Sequence, residues 1–581
     1  MAEFDPYNER DFALLKKVVK HNYDEMRGFR KVRRMIVETA QGHYYDCNDN
    51  DNPRAVRNPV NLLDQLQKIL VRSLVQTNPR CRVVSWTKPR AAAMFQSRLN
   101  NLIKEIDLAT TLRRCVQESI LGYMGTAYTG LAYSERVPGV IEPFVDSIPL
   151  PDAVVDIGRD EFVRGDLIGH RFTKRIADME ESGLYDPDVL QSISGNRASQ
   201  ELRDEEEDKY GDDEESSLFR WGHIWQILIR PTNQMVFYAE GSSVNKPLRV
   251  ASYDGPEFGP YSHLYFDRVP GKLMPNSLSA MLLDVADFVN MQYRKIFSAE
   301  DRSAEFWTYE GASEDDARRI RDAGDGEMIQ VDNNAAVQRR TKGGTNPQAL
   351  GTAMHGRQLF DEYSGFIRML GGSGPIAETA AQEKIAFGNV SQVVRDMQLR
   401  VIDFTRSILR QLAWYEWTDP ERQQMVEFTV GRNGRAERDI WSPEKRDGDF
   451  IEFEIDIEPD SMEHRSSRQQ LTELMQAVQG VVIPMMQMPS DQPVILKTPD
   501  LVRKYAELAN LPELQDVADY AADPSYVSNP QTGGSALRIP AGATSEGRLN
   551  GGSRQGQGGG GMHEDAIMAM MSSAGGRNEE G

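Results

Sequence analysis

Asp46-Cys-Asn-Asp-Asn-Asp-Asn52 offers oxygen ligands at the first, third and fifth positions of a calcium-binding loop. Such a loop needs Gly at its sixth position for the sharp turn and Glu at its twelfth for bidentate ligation, and here those places hold Asp51 and Arg57. The cluster therefore reads as a turn. Gly371-Gly-Ser-Gly374 has the backbone freedom to wrap a phosphate, but no strand pattern leads into it and no lysine follows closely. The chain has no Gly-x-x-x-x-Gly-Lys-Ser/Thr loop, no His-Glu-x-x-His pair and no Gly-x-Ser-x-Gly elbow. Its eight histidines are scattered, and Cys47, Cys81 and Cys115 show no Cys-x-x-Cys spacing. Three cysteines placed this way argue against zinc or a disulfide framework and read as packing residues in a reducing compartment. No catalytic residue, metal or cofactor is expected.

The side chains left to act are charges. Arg318, Arg319 and Arg321, followed by Arg339, Arg340 and Lys342, form the densest basic cluster outside the N-terminal helix. They can meet phosphate, an acidic partner, or only solvent. Helical spacing from about Arg10 to Gln41 puts Phe12, Leu15, Val19, Met26 and Ile36 on one side and Lys16, Lys17, Lys20, Arg30, Lys31, Arg33 and Arg34 on the other. That basic face suits phosphate contact, pairing with acidic neighbours, or a subunit interface. The whole chain carries 88 acidic against 67 basic residues, a net charge of −21. Such a balance is poorly suited to gripping nucleic acid, because binding displaces counterions with Lys and Arg. It suits solubility, or a wall past which a duplex must slide.

The elements that position these charges follow from periodicity. Leu278, Met281, Leu282, Val285, Phe288, Val289 and Ile296 form one apolar helical stripe starting after Pro275. Next come a strand at Phe306–Tyr309, a helix opened by Ser313-Glu-Asp-Asp316 and stopped at Gly324, and a strand at Met328–Val331. So short a connection is the minimum for a parallel crossover, so this unit needs neighbours to complete its core. Leu350, Met354, Leu359, Tyr363, Phe366 and Leu370 make a second helix, broken by Gly371–Pro375. From Ile376 to about Trp417 no proline intervenes, and Val394, Met397, Val401, Phe404, Ile408, Leu412 and Tyr415 hold one face. That is roughly 60 Å of helix, long enough to bridge separate bodies.

Elsewhere, Asn61–Val75 and Lys88–Tyr123 read as helices, and residues 127–274 as mainly β, with a hairpin turning at Pro231–Gln234. Phe450–Ile457 alternates as a strand and is expected to rejoin the earlier sheet. Glu201–Glu215 is too charged to pack, and the Gly-, Ser- and Asn-rich residues 526–581 read as a disordered tail containing a short apolar cluster, Ala566–Met571. At 581 residues and 39% hydrophobic the chain is expected to build three or four domains. No apolar run is long enough to span a membrane, and the opening residues Met1–Pro6 do not read as a signal peptide.

The order over Asn276–Trp417 resembles the stem, clip, tunnel loop and backbone helix of tailed-bacteriophage portal proteins. The resemblance covers roughly residues 10–525 and lies in architecture, not in an invariant signature. It implies an α+β fold: N-terminal helices and a β-rich wing over 1–275, completed by 418–461; stem helices at 276–300 and 344–370; a small αβ clip at 301–343; a tunnel loop and backbone helix over 371–417; and a helical crown at 462–525. It further implies a homododecameric ring at one capsid vertex of the virion, assembled in the host cytoplasm. Double-stranded DNA would pass through its channel during packaging and ejection, and terminase, head-completion or adaptor proteins and the major capsid protein would dock on it. Gly371, Gly372, Ser373, Gly374, Ile376, Glu378 and Gln382 would face the channel, and the Arg318 to Lys342 cluster would meet partners. The acidic insert and the polar tail depart from the family pattern. A structural or scaffolding protein of a capsid or tail without a channel fits the acidic balance and absent motifs equally, and an unrecognised nucleic-acid enzyme is a third reading.

Overall fold

The computed structural model describes residues 4–41, 60–133, 140–193, 221–240, 242–302, 304–309, 314–322, 337–342, 347–365, 380–429, 436–458 and 461–462. The Asp46–Asn52 cluster, Cys47, the acidic insert, the expected strand Met328–Val331, all of the crown except Met462, and the tail lie outside the described residues.

The single N-terminal helix expected from the sequence is two helices, α1 (Glu9–Glu25) and α2 (Arg27–Gln41), meeting at Met26. Asn8 caps α1 by accepting the Arg10 N–H at 3.0 Å, and Phe12, Leu15 and Val19 are buried against the β-rich part. Much of the basic face pairs within the chain. Arg33 makes a bidentate bond to Glu118 at 2.9 and 2.6 Å, Arg34 pairs with Glu38, and Arg30 donates to the Tyr23 carbonyl. α3 (Leu62–Leu74), β1 (Cys81–Val84), α4 (Pro89–Glu105) and α5 (Leu108–Leu121) follow. The continuous helix expected over Lys88–Tyr123 breaks because Asp107 takes a left-handed conformation, φ 46°, between α4 and α5.

The β region then forms two antiparallel sheets. One has the order β3-β2-β9, from β2 (Gly125–Tyr133), β3 (Ile141–Ile148) and β9 (Tyr261–Leu264). The other is a meander β4-β5-β6-β7-β8: β4 (Ala153–Val155), β5 (Leu167–Arg175), β6 (Trp221–Ile229), β7 (Gln234–Ala239) and β8 (Arg249–Ser252). The β6–β7 hairpin is where the sequence places it, with Asn233 supplying the positive φ of its turn. Short helices α6 (Ile176–Ser182) and α7 (Pro187–Ser192) pack on this meander. The sheets are tied through buried polar side chains: His170 Nδ1 lies 2.8 Å from the Tyr261 hydroxyl, and Gln226 donates to the Tyr128 hydroxyl at 2.7 Å.

Next come α8 (Leu278–Asp301), β10 (Ala304–Tyr309), α9 (Glu314–Asp322), β11 (Val337–Lys342), α10 (Pro347–Tyr363) and the 39-residue α11 (Ala380–Thr418). Strands β12 (Gln424–Thr429), β13 (Ala436–Trp441) and β14 (Glu454–Ile457) complete the order. The chain does return after α11, but not to the earlier sheets: β14 pairs antiparallel with β1, a strand too short for its alternation to stand out in the sequence. Only Glu454–Ile457 of the expected Phe450–Ile457 strand pairs, because Phe450–Glu452 forms a 3-10 turn. The fold is thus mixed, with helices and antiparallel sheets sharing one large core of α3, α4, α5, α8, α11 and the β1–β14 pair. At its centre Phe95 stacks on Trp441 with centroids 5.3 Å apart, and Trp417 and Phe453 close the cluster.

Candidate functional site

The base of α8 is fixed by Ser277, which caps the helix by accepting the Ala280 N–H at 3.2 Å and donates to the Ile120 carbonyl. Over its first half Leu282, Leu283, Ala286, Val289 and Asn290 are buried. Among the described residues beyond Met291 only Ile296 is, so the second half runs out from the core. β10 continues from α8 and pairs antiparallel with β11, which leads into α10; Ala304 sits opposite Lys342. The end of α8 and the start of α10 therefore meet at one place, and the two helices run in opposite directions. They pack closely at Gly356, where a Cβ would stand 3.0 Å from Val289 Cγ2 and 3.1 Å from the Phe288 ring. Ala353 and Phe360, buried on either side of it, extend the same face. Met281, Met291 and Phe297 of α8 and Leu350, Met354 and Tyr363 of α10 remain exposed.

The two described strands of the unit joining the helices, β10 and β11, pair antiparallel. The expected strand Met328–Val331 lies outside the described residues, and β11 is a strand the sequence reading did not anticipate. The β10–β11 pair is antiparallel and needs no crossover. Arg339 lies opposite Trp307 and Arg340 opposite Phe306 on this ladder, and Lys342 ends it. Arg318, Arg319 and Arg321 lie exposed on α9, where the sequence also supplies Glu314, Asp315, Asp316 and Asp322. Arg318 pairs with Glu314 at 2.8 Å and Arg321 with Asp322 at 2.7 Å. Arg318 and Arg321 thus carry their own counter-charges. Gly371, Gly372, Ser373, Gly374, Ile376 and Glu378 lie outside the described residues, and Gln382 falls in the first turn of α11.

No family model matches the sequence, and no curated protein is similar to it.

α11, about 58 Å long at 1.5 Å per residue, supplies the rigid axis of the core. From Val401 to Glu416 it is buried on most sides. Gln411 bonds the Thr129 hydroxyl at 2.7 Å and the Gly259 carbonyl at 2.9 Å, and Ser407 lies 2.9 Å from Ser262, which fixes the helix to β2 and β9. Near its end Glu416, fully buried, accepts from Arg98 Nε at 2.9 Å and from Arg422 Nη1 at 3.2 Å. The sequence signals this ion cluster: Arg98 interrupts the apolar stripe of Phe95, Leu99 and Leu102, and Glu416 sits within Trp414-Tyr-Glu-Trp417.

Two open clefts flank α11. The first, about 1180 Å³, contains five arginines, but most are used internally. Arg406 pairs with Asp403 and Asp456, Arg268 with Glu161, and Arg230 donates to the carbonyls of Phe162, Val163 and Gly165. The second, about 1430 Å³, lies between the end of α4, the β2–β3 pair and the end of α11, and it has seven carboxylates against three arginines. Among the described residues no cluster of His, Cys, Asp and Glu has metal-binding geometry. Cys81 and Cys115 are buried, and burial pushes both thiols up to about 12, the state of packing residues and not of nucleophiles. No described helix is long and apolar enough to cross a membrane.

Proposed function

We propose that this chain is a portal protein: copies form a ring at a capsid vertex, double-stranded DNA moves through the central channel, and the β10–α9–β11 unit is a docking platform for the terminase motor and then for head-completion proteins. The observation that carries this reading is the pair α8 and α10. The two helices run out of the core antiparallel, hold a small αβ unit at their shared far end, and are followed by a helix of 39 residues that threads the core. Exposed Met, Leu and Phe side chains along such a pair fit a surface that a neighbouring copy covers.

Electrostatics support the same reading. A net charge of −21 per copy, multiplied around a ring, presents DNA with a wall that repels phosphate, so the duplex passes without being held. The mixed charge of α9 sharpens the role of the clip. Arginines flanked by their own carboxylates are poor phosphate clamps and good partners for a protein surface of mixed sign, so Arg318, Arg319 and Arg321 serve docking, not DNA contact.

Electron microscopy of the purified full-length protein tests the proposal. Closed rings with a central hole wide enough for a DNA duplex are expected. Filaments, solid discs or monomers at every concentration would refute it, and the first two would favour a structural protein without a channel.

A further inference from the structure

The meander β4-β5-β6-β7-β8 has an apolar interior of its own. Phe12, Leu15 and Val19 of α1 pack on one part of it, and Met179, Val189 and Leu190 of α6 and α7 on another, in clusters separate from the large core around α11. The chain passes between this lobe and the rest of the fold at Met26, between α1 and α2, at Pro149, between β3 and β4, and over residues 253–260, between β8 and β9. The seam between the lobe and the β3-β2-β9 sheet is built unlike either interior. Four of the twelve buried residues in its apolar part, Met26, Met124, Met235 and Met274, are methionines, whose unbranched side chains repack readily.

The rest of the seam is polar, and a histidine faces across it from each side. His170, on β5 of the lobe, meets the Tyr261 hydroxyl of β9, with the Tyr128 ring of β2 4.8 Å away and Gln226 opposite it on β6. Among the described residues no carboxylate or cation acts on it. His263, on β9, has Nδ1 3.1 Å from the Thr126 hydroxyl of β2, and its ring stacks on Phe162 of the lobe with centroids 4.3 Å apart. Its Nε2 is enclosed without a hydrogen-bond partner, and so is Nε of Arg230, the lobe cation whose charge acts on it. Arg230 bonds the carbonyls of Phe162, Val163 and Gly165, and the other groups that act on its charge, Asp166 and Tyr253, stand at the end of the meander. Burial keeps both histidines neutral, lowering His170 to about 4 and, together with Arg230, His263 to about 3.

We infer that this seam is an acid-sensitive joint: protonation of His170 and His263 frees the β4–β8 lobe, with α1, from the β3-β2-β9 sheet as one body, while the core around α11 stays closed. A proton on His170 puts a charge where only hydroxyl, amide and ring groups face it, and a proton on His263 sets a second cation against Arg230 across the seam. Opening lets water solvate both. At pH 4.5, two units below the ordinary histidine value of ~6.5, each histidine that is neutral when closed and free when open raises the opening constant about a hundredfold. The joint is independent of the ring reading above.

Methionine oxidation by hydrogen peroxide, read by peptide mass spectrometry on the full-length protein, tests this, because the seam methionines are buried while the joint is closed. Between pH 7.5 and pH 4.5 the oxidation of Met26, Met124, Met235 and Met274 is expected to accelerate roughly a hundredfold or more, while Met94 in the core and Met179 inside the lobe stay protected. Met281, Met354 and Met425, exposed throughout, supply the rate of an open methionine at each pH. His170→Gln and His263→Gln are each expected to remove about a hundredfold of the acceleration, and the double variant nearly all of it. Oxidation of Met94 and Met179 in step with the seam would mean global unfolding and overturn the inference, a comparison that needs only the wild type. Seam methionines still protected at pH 4.5, or an undiminished acceleration in the double variant, would overturn it as well.

Discussion

Replacing Glu416 by Ala tests whether the ion cluster at the end of α11 holds α4, α11 and the chain before β12 together. The carboxylate is fully buried and neutralises two guanidinium groups that are themselves 1% and 8% exposed. Without it Arg98 retains only Glu105, at 3.2 Å and partly open to water, and Arg422 retains Asp419 at 3.4 Å. Removing one partner of a buried pair strands a desolvated charge and costs about 3–5 kcal/mol. For a unit the size of Met1–His464, an unfolding entropy of ~2.1 cal/mol/K per residue makes each kcal/mol about 1 °C, so the expected midpoint drop is roughly 3–5 °C. The double variant Arg98→Met, Glu416→Leu removes both charges and fills the space with apolar atoms. It is expected to recover part of the loss, because the desolvation cost of Arg98 disappears with the attraction, while Arg422 keeps Asp419 and the Ile141 carbonyl as partners. Differential scanning fluorimetry and urea unfolding of the wild type, Glu416→Ala and the double variant give the numbers. If Glu416→Ala costs less than about 1 kcal/mol, the cluster is wet or relaxes freely, and the argument from burial fails.

Three further outcomes follow from particular contacts. Gly356→Leu is expected to destabilise the α8–α10 pair by about 1–3 kcal/mol through overpacking against Phe288 and Val289, whereas in Gly356→Ala a gain of ~1 kcal/mol in helix propensity offsets a tighter contact; urea unfolding separates the two. Burial lowers His170 to about 4, so between the unfolded value near 6.5 and that value the unfolded chain binds a proton the folded chain does not. Stability should therefore fall on acidification through that window by on the order of 3 kcal/mol from this group, and His170→Gln should lose that component in unfolding curves at pH 7.5 and 4.5. Reversing the charges of Arg318, Arg319 and Arg321 is expected to abolish terminase or connector docking in a pull-down while ring assembly in electron micrographs survives; normal docking would refute the role given to α9.

Long-range order was legible in the sequence where periodicity was long. The apolar stripe of Leu278–Ile296 and the proline-free run before Trp417 announced α8 and α11, and the turn residues Pro231–Gln234 announced the β6–β7 hairpin. What failed was pairing. β1 and β14 are four residues each and find each other across more than 350 residues, with no local pattern to mark the partnership. The partner of β10 was missed for a related reason, while the expected strand Met328–Val331 lies outside the described residues. Met328–Val331 has the stronger apolar pattern, while β11, Val-Gln-Arg-Arg-Thr-Lys, reads as a basic loop. Charge counting also misled, since Arg318 and Arg321 looked like a basic patch until their neighbours at one and four residues were seen to pair with them. The exposure of Trp86 leaves no mark in the sequence, because a tryptophan next to a strand is equally compatible with a core position.

The distribution of strong interactions separates a rigid body from surfaces free to associate. Ion pairs and hydrogen bonds that are buried converge on α11: Glu416 with Arg98 and Arg422, Gln411 with Thr129 and Gly259, and Ser407 with Ser262. Buried pairs of this kind are costly to break, so the middle and end of α11 move as one with β2, β9 and α4. Along α8 and α10 the balance reverses, with tight packing on one face, exposed apolar side chains on another, and only solvent-screened pairs on α9. Exposed pairs contribute about 0–1 kcal/mol each, so what α9 presents to a partner is set by that partner as much as by its own helix. A load applied to the helix pair is therefore carried into the core by packing at Gly356, Val289 and Phe360, not by salt bridges. For that reason Gly356, uncharged and buried between α8 and α10, is the position where a single added side chain should disturb docking and assembly together.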